Sequence, residues 1–175
     1  MEIFMIDKIS PNPSLPKRGI KRRVCKKIPS CDFGNKKRSK VINKTRLYKH
    51  KGKFTWKGIK TEKYKTAGTD WKNIIRRVLI GSHNESTKFH IRYFEISPGG
   101  YSSFEKHKHE HVVMGIRGKG KVVCDKKNYQ LNFLDTLYIA PCIPHQLSNP
   151  FHEPFGFLCI VNTKRDKPKS LMKFT

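Results

Sequence analysis

Between Arg76 and Val161 the chain is a succession of short apolar stretches, each ended within a few residues by Gly, Pro, Asn or Asp, with no sustained helical period. Arg76-Arg-Val-Leu-Ile stops at Gly81, and His83-Asn-Glu-Ser-Thr reads as a turn. Phe89-His-Ile-Arg-Tyr-Phe-Glu-Ile96 alternates with period two, which places Phe89, Ile91 and Tyr93 on one face, and it stops at Ser97-Pro-Gly-Gly100. Val112–Ile116, Lys121–Cys124, Tyr129–Leu131, Leu134–Ala140 and Phe155–Val161 continue the series. Many short strands at close spacing, joined by turn residues, predict an all-β sandwich or barrel.

The flanks have a different composition. The net charge is +25, and residues 1–66 hold 21 Lys/Arg against 4 Asp/Glu, so the charge is concentrated at the front. Prolines at 11, 13, 16 and 29 break any helix there, and large apolar residues are few. The expected organisation is a basic, largely irregular extension over 1–55 and a lead-in over 56–75 that wraps the barrel with Trp56, Ile59, Tyr64 and Trp71. A barrel over 76–163 and a polar tail over 164–175 follow. Clustered Lys/Arg over 17–53 suit an acidic partner, nucleic acid first among them. The competing reading is an arm strapped onto the barrel or onto a second subunit.

Five cysteines (Cys25, Cys31, Cys124, Cys142, Cys159) in no repeated spacing argue against a disulfide framework or a zinc knuckle. The first residues lack the pattern of a secretory signal, and no apolar run approaches the roughly 18 residues of a membrane span. A reduced, cytoplasmic protein is expected.

Glu105-Lys-His107-Lys-His109-Glu-His111 carries the chemistry, with Gly118 beyond it and Pro141-Cys-Ile-Pro-His145-Gln-Leu-Ser-Asn149 as a distant partner. Residues at i and i+2 on a strand share a face, yet four of them span roughly 20 Å at about 3.3 Å per residue. One ion with ligands roughly 2.1 Å away requires a bend between His107 and His111, with His109 in the bend as a solvated loop residue. The competing reading of the segment is a solvated turn.

These two motifs resemble those of the cupin superfamily: Gly, His-x-His, Glu and Gly in the first, and Pro, His and Asn in the second. Counting back from Gly118, the family's Glu position is His111, its second His is His107 and its first His is Glu105. Pro141, His145 and Asn149 match the second motif. The resemblance covers roughly residues 71–163, and histidine at 111 looks like the substitution in small single-barrel cupins that hold manganese with four histidines, which also carry Arg-Val-Leu-Ile-Gly and Pro-Gly-Gly segments as at 77–81 and 98–100. It implies a jelly-roll barrel, a metal centre of Glu105, His107, His111 and His145, and a homodimer. A register shift would instead pair His107 with His109 and leave Glu105 out. Leu134 stands where the family usually has glycine.

Several imidazoles with one carboxylate favour Mn or Fe, with Zn or Ni also suited. Arg92, Tyr93 and Tyr138 are candidate cavity-lining residues, and an inward Arg92 would favour a carboxylate ligand. Cys124, Cys142 and Cys159 read as buried thiols. Three functions follow: a mononuclear metalloenzyme of dioxygenase or isomerase type on a small molecule, a non-catalytic small-molecule sensor, or a nucleic-acid-associated protein acting through its arm.

Overall fold

The computed structural model describes residues 44–171; they form eleven β-strands and no helix. Residues 17–43 of the basic stretch lie outside the described residues. The strands are β1 (Glu62–Lys63), β2 (Lys72–Ile80), β3 (Phe89–Tyr101), β4 (Glu105–Lys106), β5 (His111–Arg117) and β6 (Gly120–Cys124). They continue with β7 (Lys127–Leu131), β8 (Thr136–Ile139), β9 (His145–Ser148), β10 (Phe155–Asn162) and β11 (Lys169–Ser170). The predicted all-β architecture is therefore present.

All pairings are antiparallel, and the main path runs β11–β4–β9–β3–β10–β5–β8, with β2 attached to β3 and carrying β1, and with β6 attached to β9 and carrying β7. The long β3 turns the corner of this nearly closed barrel. Up to Ile96 it pairs with β2 and β10; beyond the Ser97–Gly100 stretch, Tyr101 pairs with Lys72 of β2 and with Ser148 of β9. β2 begins at Lys72 rather than Arg76 because a register shift between Lys72 and Ile74 lets it follow β3 around the bend. The tail also takes part: β11 pairs with β4, and the Leu171 N–H donates to the Phe104 carbonyl at 2.8 Å.

The core fills the barrel from both sides with Ile74, Phe94, Ile96, Val113, Val122, Leu131, Ile139, Leu147, Phe155, Phe157, Cys159 and Val161. Phe94 stacks on Phe157 at 5.4 Å, and Tyr64 and Trp71 of the lead-in pack against the same cluster. The outer face of β3 is covered as well. Phe54 stacks on Tyr93 at 5.6 Å and 7°, Trp56 meets the same ring at 5.3 Å, and Arg77 lies over it. Tyr93 is fully buried and its hydroxyl donates to Glu95 at 2.5 Å, which also accepts from Arg117. Phe54, which the sequence placed in the basic extension, and Trp56 of the lead-in thus cover Tyr93, so β3 is buried on both faces at this point.

Candidate metal centre

The bend required by the spacing of the histidines exists. β4 ends at Lys106, β5 starts at His111, and the four residues between reverse the chain. The Cys142 N–H holds this bend by donating to the His107 carbonyl at 2.7 Å. His145 opens β9 directly opposite Glu105. Through these connections the ligating nitrogens of His107, His111 and His145 come within 4.8 Å of one another, and all three residues are buried.

Each of the three imidazoles is oriented by a contact at Nδ1. His107 Nδ1 meets the His109 carbonyl at 2.8 Å, and His145 Nδ1 meets the Ile143 carbonyl at 2.8 Å. His111 Nδ1 meets Cys159 Sγ at 3.2 Å. A carbonyl accepts, so the proton of His107 and of His145 sits on Nδ1 and the lone pair on Nε2. The Nε2 atoms of His107 and His111 are buried and bonded to nothing among the described residues. Buried nitrogens without partners are costly, and imidazoles fixed at Nδ1 with Nε2 free have the arrangement of metal ligands. The residues present fit a metal ion.

The electrostatics agree. Burial, followed by the neighbouring His109 and His145, lowers His107 to about 4. Burial also pushes His111 and His145 below the usual imidazole range. Near neutral pH all three are uncharged, the state that binds a cation.

Glu105 is buried and lines the same cavity, but its carboxylate is not within 4.8 Å of all three imidazoles. Lys65 Nζ donates to Glu105 Oε2 at 2.6 Å and to Ser103 Oγ at 2.7 Å. His109 corrects an expectation: it is buried, stacks on His107 at 3.7 Å, and its Nδ1 lies 2.8 Å from Asp166 Oδ1. The bond to His109, with that from the Lys108 N–H, lowers Asp166 to about 2.

The cavity over the three imidazoles measures about 250 Å³, and Tyr64, Phe94, Phe157, Arg92 and Arg165 are among its walls. Arg92 points inward as expected. Tyr93 and Tyr138 do not line it: Tyr93 lies under Phe54 on the outer face, and Tyr138 is 62% exposed. Cys142 is exposed rather than buried, because its backbone takes a left-handed turn (φ 62°) at the edge of the bend. Sequence reasoning missed Lys65, Arg165 and Asp166, which come from irregular flanking segments with no periodicity to mark them.

A cupin domain model matches residues 92–161, which include both motifs. The chain is 34% identical over 117 residues to the 1-methylthio-D-xylulose 5-phosphate methylsulfurylase of Rhodospirillum rubrum, covering 66% of this chain and 74% of that protein. Its fold is similar to that of a cupin 2 conserved barrel domain protein from Rhodopseudomonas palustris, with a TM-score of 0.67 and 31% identity over 73% of this chain and 88% of the other. It is also similar to a cupin-2 domain structure from Rhodospirillum rubrum, with a TM-score of 0.63 and 31% identity over 74% and 84% of the two chains. With the two motifs folded into one barrel around three convergent histidines, the chain belongs to the cupin family.

Proposed function

We propose that this cupin holds one divalent metal ion, Mn or Fe, and acts on a small organic molecule bound in the cavity above it. The observation that carries this reading is the pair of buried Nε2 atoms on His107 and His111, which have no partner among the described residues and sit beside His145. His107, His111 and His145 are the ligands, and Glu105 is the fourth when it leaves Lys65. The ion would supply Lewis-acid or one-electron chemistry, which suits an isomerase or a dioxygenase. The protein's own contribution is shape and dryness. Phe94, Phe157 and Tyr64 supply apolar walls, and Lys65 holds the Glu105 carboxylate in an ion pair until the metal competes for it. The R. rubrum methylsulfurylase acts, by its name, on a small phosphorylated sugar, which supports a small-molecule substrate here.

The test is elemental analysis of purified protein after loading with Mn(II), Fe(II), Ni(II) or Zn(II), with His107→Ala and His145→Ala alongside. One ion per chain in the parent, lost in both variants, is expected. Full retention in the variants, or no ion in the parent, would refute the site. Product analysis and oxygen uptake with small acids, diketones and sugar phosphates then address turnover; a metal-loaded protein that converts none of them would favour a binding role.

A further inference from the structure

The charges around the cavity do not balance. Two acidic side chains line it, and both are engaged: Glu105 by Lys65, and Asp166 by His109 and the Lys108 N–H. Of the three guanidiniums in the lining, Arg76 is held by Glu62 through two bonds to one oxygen. Arg92 and Arg165 have no carboxylate partner among the described residues.

Arg92 comes off the inner face of β3. Its Nη2 meets Cys159 Sγ at 3.3 Å, its guanidinium lies 5.2 Å from the centre of the Phe94 ring, and its Nε is buried with no partner among the described residues. Arg165 follows β10 and donates from Nη1 to the Asn162 carbonyl at 3.0 Å. Burial first, then the charges of Arg92 and Arg76, pull Arg165 below its ordinary value, so these cations crowd one another. Cations gathered in a partly buried wall without a counter-charge are unfavourable unless an anion joins them. Planar guanidiniums suit a phosphate or carboxylate through paired N–H donors.

Resting on the reading of this cavity as a substrate site, we infer that Arg92 and Arg165 form the receptor for an oxyanion, the phosphate or carboxylate group of a small substrate whose other end reaches the three imidazoles. Cys159 Sγ touches both Arg92 Nη2 and His111 Nδ1, so the anion subsite and the histidine cluster are one side chain apart. A volume of about 250 Å³ lies below the roughly 300–1,000 Å³ of pockets for drug-sized ligands, which fits a small metabolite. Arg165 belongs to the strap after β10 that also supplies Asp166 and is fixed by β11 on β4, so the strap builds one wall of the subsite.

The test is calorimetric titration of the metal-free full chain, at physiological ionic strength, with ribose 5-phosphate, malate and uncharged ribose. Ribose 5-phosphate or malate is expected to bind and ribose to show no heat; which anion wins separates phosphate from carboxylate recognition. Arg92→Gln and Arg165→Gln should each weaken that binding at least tenfold, Arg165→Glu should abolish it, and Lys121→Gln on the exposed side of β6 should leave it unchanged. Arg165→Gln carries the test if Arg92→Gln does not fold. His107→Ala, titrated without metal, should retain anion binding, so failure of the metal centre and failure of this subsite give different results. Ribose binding as tightly as either anion, binding of neither anion, or parental affinity in Arg165→Gln would overturn the inference.

Discussion

Replacing His111 with leucine should change stability in opposite directions with and without metal. His111 Nε2 is buried and bonded to nothing among the described residues, and burial holds the imidazole neutral. A buried polar atom without a partner costs about 1–3 kcal/mol. Leucine removes that cost, adds apolar surface beside Val113 and Phe157 in the same cavity, and gives up only a weak contact with Cys159 Sγ. The metal-free His111→Leu variant should therefore be about 1–2 kcal/mol more stable than the parent. With metal at a hundredfold excess over its dissociation constant, the parent gains about 2.7 kcal/mol and the variant gains little, so the order reverses. Urea unfolding in EDTA and again with saturating Mn(II) or Fe(II) measures both signs, with unchanged slopes showing that the same transition is compared. A metal-free variant less stable than the parent by more than about 1 kcal/mol would refute the argument that the nitrogen is an unpaired liability. Equal stabilisation of both proteins by metal would refute His111 as a ligand.

Three further outcomes follow from particular contacts. Glu85 accepts from the Tyr48 hydroxyl at 2.6 Å and from the His83 and Gly81 N–H groups; burial opposes its ionisation, but these bonds win and lower it to about 2. Because its folded value is depressed, its stabilisation is present above the ordinary value of 4.5 and is lost as pH falls toward 2, so the parent should lose on the order of 1–2 kcal/mol relative to Glu85→Gln across that window in acid-limb urea midpoints. A constant difference between the two proteins from pH 5 to 2 would contradict this. Leu134 holds a left-handed backbone (φ 66°) while 61% exposed, so Leu134→Gly should raise stability by about 0.5–1 kcal/mol in calorimetry, and a fall in melting temperature would count against strain at that turn. Lys65→Met should tighten Mn(II) binding about tenfold by freeing the Glu105 carboxylate, and adding Glu105→Gln should erase the gain; a gain that persists would mean that only the lysine's repulsion mattered.

The elements and the centre of the site were legible in the sequence because each rests on local pattern. Period-two apolar runs and turn residues marked the strands, and the spacing of Glu105, His107 and His111 demanded a bend that the structure contains. Alternation placed Phe89, Ile91 and Tyr93 on one face of β3, but it did not tell which face lies inside. Tyr93 and Phe94 are both buried, one under Phe54 and Trp56 and the other in the core, so a pattern that normally separates inside from outside could not do so there. The glycine usual before Asp135 in the family is a different case: Leu134 stands there in a left-handed conformation (φ 66°), one that glycine adopts freely.

What local pattern could not supply are the partners that decide how the site works. Lys65 meets Glu105 from 40 residues away, and Asp166 meets His109 from 57 residues away. Both come from stretches that read as a polar lead-in and a polar tail. Their polarity was visible, but polarity in an irregular segment looks the same whether the side chain faces water or a cavity. The segments become part of the site only because short antiparallel pairings, β1 on β2 and β11 on β4, pin them to the barrel near its mouth. Two-residue strands carry almost no sequence signal, yet here they decide whether Lys65, Arg165 and Asp166 are surface charges or cavity walls. The barrel strands and the bend between them thus bring the three histidines together, while the flanking segments add Lys65, Arg165 and Asp166 to the cavity wall, which is why local pattern found the former and missed the latter.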